Sequence, residues 1–209
     1  MVKQVRAART REALIRAAAE VFADDGYALA SLPAISKRAG VSTGALHFHF
    51  ASKDVLAAEV EGAAFERVAR LAEHCRAAAG TSLQSLVDTS SGLLHALADD
   101  PVVRAGFRLG GDPSRKNDSE LLHWWHGRVR DLIVDAQGAG ELERTVSADA
   151  ATTVIVASMV GFGALGVADR TWLSAERVAP FWSFLVPRLA ASPHRVSAPA
   201  ATGGRDEGK

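Results

Sequence analysis

Between Ser31 and Phe50 the chain has room for two short helices and little else. Ser31 is a helix N-cap residue, and Pro33 is tolerated in the first turn that follows. Leu32, Ile35 and Ala39 give that turn an apolar side. Gly40-Val41 breaks the helix, Ser42 offers a second N-cap, and Ala45, Leu46 and Phe48 carry a second helix to its end near Phe50. Small residues beside the turn let the two helices cross closely. Ala34, Ile35, Ala39, Val41 and Leu46 can fill the joint, and Leu46, Phe48 and Phe50 read as packing residues. Ser42 and Thr43 leave polar atoms at the start of the second helix.

The rest of the chain is also helical by pattern. Leu14, Ile15, Ala18, Val21 and Phe22 form one face of a first helix, about 6–24, which Gly26 stops. Ser52 caps a long helix carrying Leu56, Val60, Ala64, Val68, Leu71 and Cys75, ended by Gly80-Thr81-Ser82. Helices follow through Leu83–Leu97 and Val102–Leu109, and then a loop over 110–118 rich in Gly, Asp and Pro. Further helices cover about 119–137, 149–167 and 174–190, the last containing Pro180 and Pro187. From Ser192 the composition turns to Ser, Pro, Ala and Gly and reads as a disordered tail. The fold class is all-α. An N-terminal three-helix unit with a helix-turn-helix occupies 1–53, a C-terminal helical domain 54–191, and the tail 192–209.

Net charge is zero, yet it is unevenly spread. Residues 1–53 hold eight Lys and Arg against four Asp and Glu, so the rest of the chain is acidic by the same margin. A modestly basic head carrying a helix-turn-helix fits a module that sets its second helix in the major groove of DNA, where the helix N-terminus favours a nearby phosphate. Lys37 and Arg38 read equally as solvated charges.

Several other classes find little support. One cysteine, Cys75, excludes an intramolecular disulfide and a multi-cysteine zinc site, and its apolar setting suits a buried thiol. Met1–Thr10 is basic and polar, unlike a signal peptide, so a cytoplasmic protein is expected. Residues 150–168 carry no charge and are long enough to span a bilayer, but Thr152, Thr153, Ser158 and three glycines dilute them. Both flanks are acidic, so a helix buried against a partner subunit explains them better than a membrane span. No catalytic grouping, cofactor site or phosphate-binding loop is visible. Gly161-Phe-Gly163-Ala-Leu-Gly166 lies in an apolar helix without the strand that a dinucleotide site needs. His123 and His126 share a helix face, with Glu120 and His95 as possible third and fourth ligands. A metal-responsive sensor using His123 and His126, with Cys75, is therefore the alternative function.

The run Val41-Ser-Thr-Gly-Ala-Leu-His-Phe-His-Phe-Ala-Ser-Lys-Asp54, preceded by Phe22-Ala-Asp-Asp-Gly-Tyr27, resembles the recognition helix and flanks of the TetR family of bacterial repressors. The resemblance implies DNA contacts from Ser31, Ser42, Thr43, Gly44, His47 and His49. It implies a phosphate contact from Lys53 at the start of the next helix. Many relatives carry Lys where Thr43 stands and Tyr where His47 stands. The resemblance also implies a homodimer formed by the last two long helices, about 148–167 and 174–190. Such a dimer would bind a pseudo-palindromic double-stranded operator.

Pro101-Val-Val-Arg-Ala-Gly-Phe-Arg-Leu109, followed by a loop and a Trp-bearing helix ending Gly140-Glu-Leu, is similar to the γ-butyrolactone autoregulator receptors within that family. These control antibiotic production in filamentous bacteria, and the subgroup includes receptor-like members that answer to antibiotics. The likeness implies a small-molecule effector in an apolar pocket. Trp124 is the first choice for the pocket tryptophan and Trp125 the second. Phe107, Met159 and Phe162 are further lining candidates, with ordinary core packing an equal reading for Phe107 and Met159.

Overall fold

The computed structural model describes residues 2–115 and 119–197. It is all-helical apart from one isolated bridge between Leu142 and Ala190. The helices are α1 (Val2–Leu29), α2 (Leu32–Arg38), α3 (Thr43–His49), α4 (Lys53–Ala78), α5 (Ser82–Asp99), α6 (Pro101–Gly110), α7 (Glu120–Gly138), α8 (Ala148–Ala168) and α9 (Ala175–Leu189).

The described residues fall into two compact units, Met1–Ala69 with Asp99–Trp124, and Arg70–Ala98 with Trp125–Lys209. This differs from a division at residue 53. The first unit keeps α6 because α6 packs along α1. The three unit boundaries fall inside helices, at positions 69/70 of α4, 98/99 of α5 and 124/125 of α7.

In the first unit α1 is longer than its apolar pattern implies and is broken at Gly26 (φ 78°, ψ 171°) rather than stopped there. Only glycine accepts that backbone without cost. A Cβ at Gly26 would also lie 2.9 Å from Nη2 of Arg108, the flexible end of a long side chain. Arg108 Nη1 donates to the carbonyls of Ala23 (2.7 Å) and Asp24 (3.1 Å), which the break leaves without helical partners. Leu14, Ala18, Val21 and Phe22 of α1 are buried with Ile35, Leu46, Phe50, Leu56 and Val60. Each of these side chains larger than alanine contributes about 1.5–3 kcal/mol by leaving water. Gly106 marks a tight crossing of α6 on α4, where a Cβ would lie only 2.3 Å from that of Ala64.

The second unit has α5 as its most buried helix, with Leu83, Leu86, Val87, Leu93 and Leu94 inside. Leu121 lies in the first unit and Trp125 in the second, on a helix α7 whose inner side continues through Val129, Leu132, Ile133 and Ala136. Cys75 is buried, and burial pushes its thiol above the ordinary range. The segment after α7 turns back, so Glu143 N donates to Leu189 O (2.8 Å) and Ala191 N to Glu141 O (2.8 Å).

α8 is apolar nearly all round, yet most of it is not buried. Ala151, Thr152, Ile155 and Met159 face inward, while Val154, Val160, Leu165 and Val167 are exposed, as is Phe184 of α9. By length and composition alone, with a mean hydropathy of 1.9, α8 could cross a membrane.

Two expectations change. The stretch 192–209 is not irregular throughout: Pro193–Arg195 form a 3₁₀ turn, and Ser197 exchanges hydrogen bonds with the amide of Gln84 (2.7 and 3.1 Å). The expected tail over 198–209 lies outside the described residues. The 110–118 loop starts later, because Gly110 still belongs to α6, and 116–118 lie outside the described residues.

Candidate nucleic-acid interface

α2 and α3 form the expected pair. Ser31 Oγ accepts from Ala34 N (3.3 Å) and Ser42 Oγ from Ala45 N (3.1 Å), so both serines cap their helices. Gly40 supplies the left-handed residue between them (φ 68°), and Val41 N closes the turn on Ser36 O (3.0 Å). Ile35 and Leu46 are fully buried and Ala39 and Val41 partly so. Ala34, expected in the joint, is exposed instead, because it lies on the outer side of α2 next to its cap.

A polar tie missing from the sequence reading links the two helices. Ser36 is buried, donates to Pro33 O (3.0 Å) and lies 3.3 Å from Thr43 Oγ1. A hydroxyl has one proton. With that of Ser36 given to Pro33, Thr43 must donate to Ser36, and its outward lone pairs remain acceptors.

Ser42, Thr43, Gly44 and His47 are exposed, and His49 is partly so. A Cβ at Gly44 would have Ser42 Oγ as its nearest neighbour at 3.9 Å, so this face is open. Phe48 is 82% exposed and not a packing residue. Leu46 and Phe50 are one helical turn apart and share the buried side, which turns Phe48 outward. Its ring packs edge-to-face with that of His49, at 5.2 Å between centroids. Arg38 is not simply solvated, since its Nη1 donates to Glu20 (3.1 Å).

Lys53 is tied to the protein itself. Its Nζ donates to Tyr27 O (2.9 Å) and Ala30 O (3.0 Å) and lies 4.2 Å from the centre of the Tyr27 ring. The ammonium thereby caps the end of α1 beyond Gly26. Tyr27 Oη donates to Asp54 Oδ1 (2.5 Å). Burial, this hydrogen bond and the Asp54 charge push the phenol up to about 12. On the same ring lies Arg115, its Cζ 5.3 Å from the ring centre, with its guanidinium on Glu61 of α4.

The structure divides the expected effector residues between the units. Phe107 and half-buried Trp124 belong to the first, where Trp124 stacks edge-on against Phe65 at 5.4 Å. Trp125, Met159 and Phe162 belong to the second. Trp125 is 1% exposed and Met159 3%, whereas Phe162 is partly exposed between Phe181 (5.6 Å) and Trp172 (6.4 Å). Trp125 Nε1 is buried without a hydrogen-bond partner among the described residues, as are Trp182 Nε1, Ser90 Oγ and Thr152 Oγ1.

His123 and His126 are exposed, and His123 Nδ1 turns back to Ser119 O at 2.9 Å. Among the described residues no group of three or more His, Cys, Asp and Glu is arranged to hold a metal ion. The metal-sensor alternative is not favoured.

Comparison with known proteins agrees with this geometry. Residues 14–60 match the family described as bacterial regulatory proteins, tetR family. The chain is 33% identical to the A-factor receptor protein of Streptomyces griseus over 91% of its own length and 67% of that protein's. A solved gamma-butyrolactone receptor, an ArpA-like protein, superposes with a TM-score of 0.77 at 29% identity, covering 91% of this chain and 92% of that one. CprB from Streptomyces coelicolor, solved in complex with its biological operator sequence, gives the same TM-score, identity and coverage. An interface built on capped α2 and α3, in a chain this similar along nearly its whole length, has one family home: the chain belongs to the tetR family of bacterial regulatory proteins.

Proposed function

We propose that the protein is a dimeric, ligand-responsive repressor that controls antibiotic biosynthesis genes from the cytoplasm. A γ-butyrolactone-like or antibiotic-like molecule would release it from a pseudo-palindromic operator. Thr43, Gly44, His47 and His49 face the major groove, and Ser31 and Ser42 present their hydroxyls at the ends of α2 and α3 that approach the backbone. Phe48 joins them as an apolar contact for a thymine methyl. Lys53 acts from behind by fixing the end of α1 to the start of α4.

The observation that carries the effector half is the interior of the second unit. Four polar groups there, on Trp125, Trp182, Ser90 and Thr152, are buried without partners. Buried polar groups are ordinarily satisfied, and each orphan costs about 1–3 kcal/mol. A lactone or ketone oxygen entering this apolar interior supplies acceptors for the indole N–H groups. Trp125 therefore replaces Trp124 as the preferred effector tryptophan, with Met159 beside the apolar part of the ligand. Effector binding need only favour a conformer whose two α3 helices are misplaced for the operator. α4 and α7 are continuous through both units and offer the mechanical route.

The exposed apolar residues of α8, with Phe184 of α9, form the dimer face. Val160 and Leu165 on a lone protomer would leave a large apolar area in water.

The test is operator release in a gel-shift titration with synthetic γ-butyrolactones and with organic extract of a producing culture. Wild type should release, and Trp125→Phe should bind operator yet resist release. If Trp125→Phe releases like wild type, the indole N–H has no part in sensing.

A further inference from the structure

The two hydroxyls that precede Gly44 offer different things to a neighbour. Ser42 Oγ accepts from Ala45 N (3.1 Å) and keeps its own proton to donate. Thr43 is the reverse case. Its Oγ1 lies 3.3 Å from Ser36 Oγ, which lies 3.0 Å from Pro33 O. A carbonyl only accepts, so the proton between Ser36 and Pro33 belongs to Ser36. Turned towards Thr43 instead, it would leave two oxygens facing each other at 3.0 Å with no proton between them. Ser36 is 3% exposed, so water cannot mend that contact. The relay therefore runs one way, from Thr43 to Ser36 to Pro33. Thr43 is exposed, yet its proton is committed inward.

An oxygen with only lone pairs to offer is selective. Phosphate oxygens, the N7 atoms of both purines, guanine O6 and thymine O4 are all acceptors, and Thr43 cannot hydrogen-bond to any of them. The major groove presents two kinds of donor, the amino groups of adenine and of cytosine. Each base pair carries one of them. Reversing the pair puts an acceptor where the amino group stood.

We infer that Ser36 sets part of the operator preference without touching DNA. By taking the Thr43 proton it makes Thr43 an acceptor-only reader of the amino group of an adenine or cytosine. The inference rests on the reading of α3 as the helix that enters the major groove. Ser36 is a positioning residue: what it fixes is the direction of its neighbour's proton. A threonine free of it turns that proton to suit either edge of a base pair. Within the relay the same turn sacrifices the Thr43–Ser36 hydrogen bond, which corresponds to about two- to tenfold in affinity.

The experiment selects duplexes from a library of randomised half-sites, using the full chain as wild type, Ser36→Ala, Thr43→Val and the double variant. Thr43→Val keeps the shape and lacks the hydroxyl, so the base pair at which its preference disappears is the one Thr43 meets. At that pair wild type should favour adenine or cytosine on one strand by about two- to tenfold over the reversed pair. Ser36→Ala frees the proton and should flatten the preference at that pair alone, whereas a loosened α2–α3 joint would blur every position. In the double variant Ser36→Ala should add nothing further there. A selected duplex is then made without the amino group, with purine in place of adenine or 2-pyrimidinone in place of cytosine. Wild type should bind it about two- to tenfold more weakly, and Thr43→Val should show no such loss. Equal preference in wild type and Ser36→Ala, no preference lost in Thr43→Val, or full wild-type affinity for the duplex without the amino group overturns the inference and leaves α3 as the reading helix. A wild type that selects no sequence overturns both. Should Ser36→Ala fail to fold, deletion of the amino group decides.

Discussion

Arg115 and Glu61 meet at two points, Nη1 2.8 Å from Oε1 and Nη2 2.8 Å from Oε2. Both side chains are largely buried, at 6% and 15% exposure. The pair fastens the segment after α6 to α4, and Arg115 also lies over the ring of Tyr27. Replacing one partner leaves the other charge buried and unpaired. Glu61→Gln or Arg115→Gln should each cost about 3–5 kcal/mol in urea unfolding, and the double variant less than the sum. Strict additivity would show that the contact is not an energetic unit.

Tyr27 is the sole tyrosine, so phenolate absorbance reports it alone. Its pKa is raised from 10.0 to about 12, so the folded chain disfavours the ionised form. The support it gives to folding is therefore complete below pH 10 and is lost as pH climbs from 10 towards 12. An alkaline titration of the native protein should show a late midpoint, and Asp54→Ala should bring it down. A native midpoint at the ordinary tyrosine value would contradict the Tyr27–Asp54 hydrogen bond.

Gly44 has open space around it. Gly44→Asp should leave the helical content and the dimer intact while placing bulk and negative charge against DNA. Operator affinity should fall by about a thousandfold or more, to the level of non-specific binding. Retained operator binding, measured by fluorescence anisotropy, would remove α3 from the interface.

Phe48 is exposed, so Phe48→Ala should change stability by no more than about 0.5 kcal/mol. Operator affinity should nonetheless drop by on the order of 1 kcal/mol, and the loss should vanish on an operator with uracil in place of the contacted thymine. An equal loss on both operators would assign Phe48 a backbone contact instead.

Val160 is 51% exposed on α8. Val160→Glu should convert the dimer to a folded monomer in sedimentation velocity and abolish high-affinity operator binding with it. A dimer surviving this change would move the interface away from α8.

The sequence made local features plain and long-range ones invisible. The caps Ser31 and Ser42 and the break at Gly40 act within four residues, so their chemistry can be read directly. The outward turn of Phe48 was also readable, because Leu46 and Phe50 occupy one side of α3 and leave Phe48 the other. The same logic puts Trp125 rather than Trp124 on the inner side of α7, since Leu121, Trp125, Val129 and Leu132 repeat at helical spacing there. Nothing local could reveal that Arg108 caps α1 or that Arg115 finds Glu61, because those partners are brought together only by the fold. Lys53 shows the same limit. Its position matches a phosphate-contacting site in the family, yet its ammonium is satisfied by two carbonyls twenty-odd residues earlier.

That placement of Lys53 bears on how the protein should respond to ionic strength. Each phosphate neutralised by a side chain releases condensed counterions, steepening the logarithmic salt dependence by about 0.9 per contact on duplex DNA. An ammonium held by Tyr27 O and Ala30 O keeps its charge but has only one N–H left to offer a phosphate. Thr43, where many relatives have lysine, adds no charge either. Each half-site thus has one cation fewer than in many relatives, and a second that the backbone holds back. The protein should hold its operator through shape and hydrogen bonding, and should tolerate swings in cellular potassium that would dislodge a more strongly basic relative.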